Sequence, residues 1–141
     1  MTLGANQTIN VLEVIPSAVT VGIQQYQNES TLQSSVDALT ATASGSQTTA
    51  LLLSSKNNRI TTVASAGDAV RLPPAVVGLS INVRNAASAN AMNVYPSSAA
   101  QGGITGGDQI NALGANTAFS QTVAANTITY RCYTAGTWIT G

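Results

Sequence analysis

The chain contains no histidine and a single cysteine among its 141 residues, and only 7% of them are charged. Without histidine the commonest general base, proton shuttle and metal ligand is missing, so neither a Ser-His-Asp nor a Cys-His catalytic arrangement can be built. A lone Cys132 forbids an intrachain disulfide and reads as a thiol packed like a small hydrophobe. The basic residues Lys56, Arg59, Arg71, Arg84 and Arg131 stand singly and the net charge is zero. That speaks against nucleic acid as a partner, because phosphate binding needs clustered positive groups. Of the carboxylates Glu13, Glu29, Asp37, Asp68 and Asp108, a glycosidase-like pair would need two to converge. Asp68 and Asp108 each follow a glycine, in turns where an aspartate ordinarily caps the backbone. No apolar run reaches the ~20 residues that span a bilayer, and the first residues lack the basic group of a signal peptide. The expectation is a protein made and kept in a cytosol until assembly, with no membrane partner.

What the chain does have is threonine, valine, isoleucine, alanine and asparagine in quantity, a mixture that favours strands and turns over helices. No window of a dozen residues shows the 3-and-4 spacing of a helix face. All-β is therefore the expected class, as a jelly-roll-like sandwich or barrel of about ten short strands with an extended N-terminal arm. A charge content this low, against about a quarter in ordinary soluble domains, suggests a surface covered by copies of itself or by other proteins.

The clearest run is residues 67–93, GDAVRLPPAVVGLSINVRNAASANAMN. Leu79, Ile81 and Val83 alternate with Ser80, Asn82 and Arg84, the period of a strand with one buried and one solvated face. Pro73 and Pro74 place residues 68–72 at a strand end or sheet edge. Upstream, residues 9–15 are apolar except for Asn10 and Glu13, and Val19, Val21 and Ile23 alternate with Thr20, Gly22 and Gln24. This pair reads either as a hairpin or as an arm laid along a neighbour. Residues 27–36 are the most polar stretch, and the chain divides into residues 1–38, arm or hairpin plus linker, and residues 39–141, a β-module. In that module residues 50–53 and 60–63 are expected to form a hairpin around a turn at Lys56, Asn57 and Asn58. Residues 97–107, SSAAQGGITGG, read as a loop with little to bury, mobile or contacted by a partner. Strands are expected again over 108–113, 118–123 and 128–132, with Gly136 turning the chain into Trp138 and Ile139.

Further motifs carry little chemistry. Gly102, Gly103, Gly106 and Gly107 lack the lysine and following helix of a phosphate loop. The triplets at Asn6 and Asn28 match the glycosylation pattern without a secretion signal. Phe119, Tyr130 and Trp138 read as core or subunit-contact residues rather than a sugar-stacking platform. No cofactor or metal is implied.

From about Leu39 onward the chain resembles a group of small virion proteins of tailed bacteriophages, of the head decoration or cement type. The residues that carry the resemblance are AGDAVRLPPAVVGLSINVRNAASANAMNVYPSS, GDQINALGANTAFSQTVAANTITYRC and AGTWIT. The resemblance implies a non-enzymatic β building block that assembles as a homodimer or homotrimer and binds a capsid or tail lattice. The expected function is decoration of the outer capsid surface, stabilising it by bridging neighbouring major capsid protein subunits. The alternative is a head fibre, tail fibre or receptor-binding component of the virion. Ile9, Val11, Leu12, Val14, Ile15, Val19, Val21 and Ile23 are the expected capsid or subunit contacts, unless they are core strands of the same domain.

Overall fold

The computed structural model describes residues 34–122 and 126–141. Contacts divide the chain into two units, Met1–Gln33 and Ser34–Gly141, and the described residues all belong to the second. Their elements run β1 (Ser35–Thr40), β2 (Leu51–Leu52), β3 (Asn57–Thr62), β4 (Ala69–Arg71), β5 (Ser80–Asn85) and β6 (Met92–Tyr95). A 3-10 turn at Ala99–Gln101 follows, then β7 (Gln109–Ile110), β8 (Phe119–Gln121), β9 (Thr127–Thr134) and β10 (Thr137–Thr140). The described residues are all-β, without an α-helix.

Strands alternate between two sheets. The six-stranded sheet has the order β1-β3-β5-β9-β10-β7 and the four-stranded sheet β2-β4-β6-β8. β1, β3 and β5 pair in parallel, as do β2, β4 and β6. Each coil thus lays one strand in the first sheet, turns a corner, lays one in the second and returns, which is a two-sheet β-solenoid. In the last part β8 runs antiparallel on β6, β9 on β5 and β10 on β9, while β7 runs parallel on β10.

This corrects the jelly-roll-like expectation. A jelly roll is built from antiparallel Greek keys, whereas the first six strands here have only parallel neighbours among themselves. The expected hairpin of residues 50–53 with 60–63 does not form either. β2 pairs with β4 while β3 lies between β1 and β5 in the other sheet, because residues 53–56 form a corner between sheets. Period-2 alternation specifies which face of a strand is buried and not which strand lies beside it, so the facing was readable and the pairing was not. The extended N-terminal arm of the expectation lies outside the described residues.

The facing expectations hold in residues 67–93. Ile81 and Val83 are buried, Leu79 packs against the core, and Arg84 is exposed. β4 ends at Arg71, two residues before Pro73; it is an inner strand, so the prolines mark a strand end and not an edge. Between the sheets lie the fully buried Trp138, Tyr130, Leu53, Ile60, Leu72, Met92, Ile110, Val70, Val83 and Val94, each worth roughly 1.5–3 kcal/mol for the larger aliphatic side chains. Phe119 meets Tyr130 edge-on, centroids 6.1 Å apart at 89°; Tyr130 and Trp138 are core, and the half-buried Phe119 packs against it. Cys132 is a buried free thiol whose pKa burial pushes up.

Residues 97–107 are not the loose loop the glycines suggested. Ser97 is fully buried and donates to Leu72 O at 2.9 Å. Gln101 accepts from the Ser98 amide and donates to Gln47 O, so the segment is tied to two coils.

Candidate functional site

Three polar groupings distinguish themselves within the described residues. Two are buried and structural. The third lies on the solvent face of the six-stranded sheet.

Asp68 and Asp108 are the two carboxylates that a hydrolytic reading would need. Asp68 accepts from the backbone amides of Ser44 at 3.1 Å and Ser65 at 3.0 Å. Those amides, Ser65's first, hold its pKa below the usual carboxylate value. Asp108, fully buried, accepts from the amides of Ala75 at 2.8 Å and Ile104 at 2.9 Å. Each clamps a corner of the solenoid, and no hydrogen bond links the two. A carboxylate whose oxygens are occupied by backbone amides is turned away from solvent, which suits fixing a turn. Among the described residues no three Cys, Asp or Glu side chains gather as a metal site would require.

The second grouping completes corners where the ladders stop. Asn85 donates to Asn90 O and accepts from the Ala87 amide, while Asn90 donates to Val63 O and Ala64 O. Gln121 donates to Val83 O and accepts from the Tyr130 hydroxyl at 3.2 Å. Buried backbone carbonyls at a sheet edge need partners, and these amide side chains supply them.

The third is built by coil stacking. Parallel pairing sets Asn57 beside Asn82 and Arg59 beside Arg84, and antiparallel pairing sets Asn82 beside Thr129 and Arg84 beside Thr127. One row is a hydrogen-bonded chain across four strands. Thr129 Oγ1 donates to Asn82 Oδ1 at 2.8 Å, Asn82 Nδ2 to Asn57 Oδ1 at 2.7 Å, and Asn57 Nδ2 to Ser35 Oγ at 3.2 Å. In the next row Arg59 Nη1 reaches both oxygens of Asp37, at 2.8 and 3.1 Å. This exposed ion pair, with the Ala38 amide, lowers the pKa of Asp37. The Arg84 side chain has no hydrogen bond or ion pair among the described residues. A groove of about 370 Å³ runs over these rows, lined by Asp37, Asn57, Arg59, Asn82, Arg84 and Thr127 among others. Arg131, opposite Ser80, lies on the same face.

Basic residues that stand singly along the sequence are therefore brought to one surface by the fold. The available signal was the tripeptide Asn-x-Arg, present at residues 57–59 and again at 82–84, one coil apart. The residues expected as contacts, Ile9, Val11, Leu12, Val14, Ile15, Val19, Val21 and Ile23, lie outside the described residues. Among the described residues the exposed large apolar side chains are Leu52, Val76, Val77, Ile104, Leu113, Tyr133 and Ile139. Comparison with protein-family models, curated proteins and solved structures finds no match.

Proposed function

We propose that this chain is a structural virion protein of a tailed phage that decorates the outer capsid surface and cements neighbouring major capsid protein subunits. The observation that carries the reading is a low-charge β-module that leaves large apolar side chains open to solvent, Val77 and Tyr133 side by side among them, where a partner can cover them. The sequence resemblance points the same way. The protein is synthesised in the bacterial host cytoplasm and associates with itself as a homodimer or homotrimer. Residues 1–26 serve as an extended arm, with the apolar side chains from Ile9 to Ile23 crossing capsid junctions. Its mechanism is additive burial: a standard interface covers about 1,600 Å², and simultaneous contacts with several subunits multiply their effect through high effective concentration. The role is non-catalytic, and the occupation of Asp68 and Asp108 by backbone amides supports that.

A second reading, a fibre or receptor-binding component, draws support from Tyr133, which is 66% exposed beside Val77. Deleting residues 1–26 tests the decoration reading. Particles coated with the shortened protein should lose occupancy and resistance to heat and low salt; full occupancy with unchanged resistance rules the arm out as the clamp.

A further inference from the structure

We propose that the groove over the two Asn-x-Arg tripeptides binds an acidic polysaccharide, with Arg84 and Arg59 gripping its carboxylate or sulfate groups. The inference goes beyond the proposed function and does not depend on it.

Arg59 and Arg84 are direct register partners on adjacent strands, which lie about 4.8 Å apart. Like charges placed so are destabilising, and Asp37 offsets only Arg59. Both carboxylate oxygens of Asp37 take the same nitrogen, Nη1, so the rest of the Arg59 guanidinium still faces the groove. An exposed ion pair of this type contributes about 0–1 kcal/mol, little enough to be shared with an incoming anion. Arg84 has no partner within the described residues and its planar fork matches a carboxylate or sulfate.

The rest of the lining selects the kind of anion. Beside the carboxylate of Asp37 and the apolar Val36, the lining carries the amides of Asn57 and Asn82 and the hydroxyls of Ser35 and Thr127, which are complementary to sugar hydroxyls. Among the described residues no aromatic side chain lines the groove, so they offer no platform for stacking bases, as single-stranded nucleic acid requires. Arg131 continues the cationic face. It stands opposite Ser80, four residues along β5 from Arg84, or about 13 Å at 3.3 Å per residue. A repeating polyanion spans that distance, and a single small anion does not.

The test is calorimetric titration of the full chain with polygalacturonate, chondroitin sulfate, neutral dextran and an oligothymidylate at one salt concentration. Polygalacturonate or chondroitin sulfate should bind. Arg84→Gln should weaken that binding about tenfold or more, as expected for losing a charge-assisted contact. Lys56→Gln, which removes the same charge outside the groove, should leave it within about twofold. Arg84 is exposed and Lys56 half-buried, and an unchanged melting temperature confirms that the variants fold. The proposal is overturned if neither acidic polymer binds, if dextran binds as well, if Lys56→Gln weakens binding as much as Arg84→Gln, or if the oligothymidylate binds more tightly than both.

Discussion

Asp108 Oδ2 accepts a hydrogen bond from the amide of Ala75, 33 positions earlier, at 2.8 Å. Its other oxygen takes the Ile104 amide, and its own amide donates to Ser97 O, so one side chain joins the corner after Pro74 to the glycine-rich segment. Asp108→Asn turns an amide NH2 toward a backbone N–H and leaves a buried donor without a partner. The expected loss is roughly 2–3 kcal/mol, read as a lower urea midpoint at unchanged slope.

Asp68 gives the module a dependence on acid. Its folded-state pKa is depressed by the Ser65 and Ser44 amides, so its contribution is complete above the unfolded value near ~4 and is lost as pH falls through the lower folded value. Asp37, held down by Arg59, acts in the same direction, with less effect because it is exposed. Urea midpoints measured downward from about pH 4 should fall less steeply for Asp68→Asn than for the native chain.

Two glycines with nearly the same backbone conformation should respond differently to alanine. Gly78 has φ 93° and open space where a Cβ would stand; Gly107 has φ 95°, and its Cβ would meet the Asn116 side chain. Asn116 in turn holds Gly106 O and accepts from Gln47. Gly78→Ala therefore costs only the left-handed conformation, about 1–2 kcal/mol. Gly107→Ala adds displacement of Asn116 and should cost roughly 3 kcal/mol or more. Thermal denaturation of the two variants side by side measures the difference.

The Asn57–Asn82 contact is the centre of the four-strand chain. Asn82→Ala removes its bonds to Asn57 and Thr129 and should cost about 1–2 kcal/mol, modest because the site is partly solvated. Because both residues share one bond, Asn57→Ala added to Asn82→Ala should cost less than the sum of the single losses. Additive losses would mean the chain is not coupled.

Much of the module was legible in the sequence one strand at a time. Ile81 and Val83 face inward as the alternation required, Trp138 and Tyr130 are core, and the two Gly-Asp turns cap backbone. What was not legible is what long-range pairing decides. Ser35 meets Asn57 across 22 positions and Asn57 meets Asn82 across 25. These unequal coils leave no fixed period to detect, since corners such as residues 53–56 and 72–79 absorb the differences. The groove shared that fate, because Arg59 and Arg84 look isolated until the coils stack. The looseness expected of residues 97–107 was misread for a related reason: Asp108 and Gln101 tie them down, and composition does not reveal such anchors.

The reading as a capsid decoration protein is tested most directly by cryo-electron microscopy of virions that carry this chain, counting its copies against the major capsid protein. The account predicts density for the β-module on the outer capsid surface, at a simple ratio to the major capsid protein and across junctions between its subunits. A few copies confined to the tail or to a fibre would contradict it.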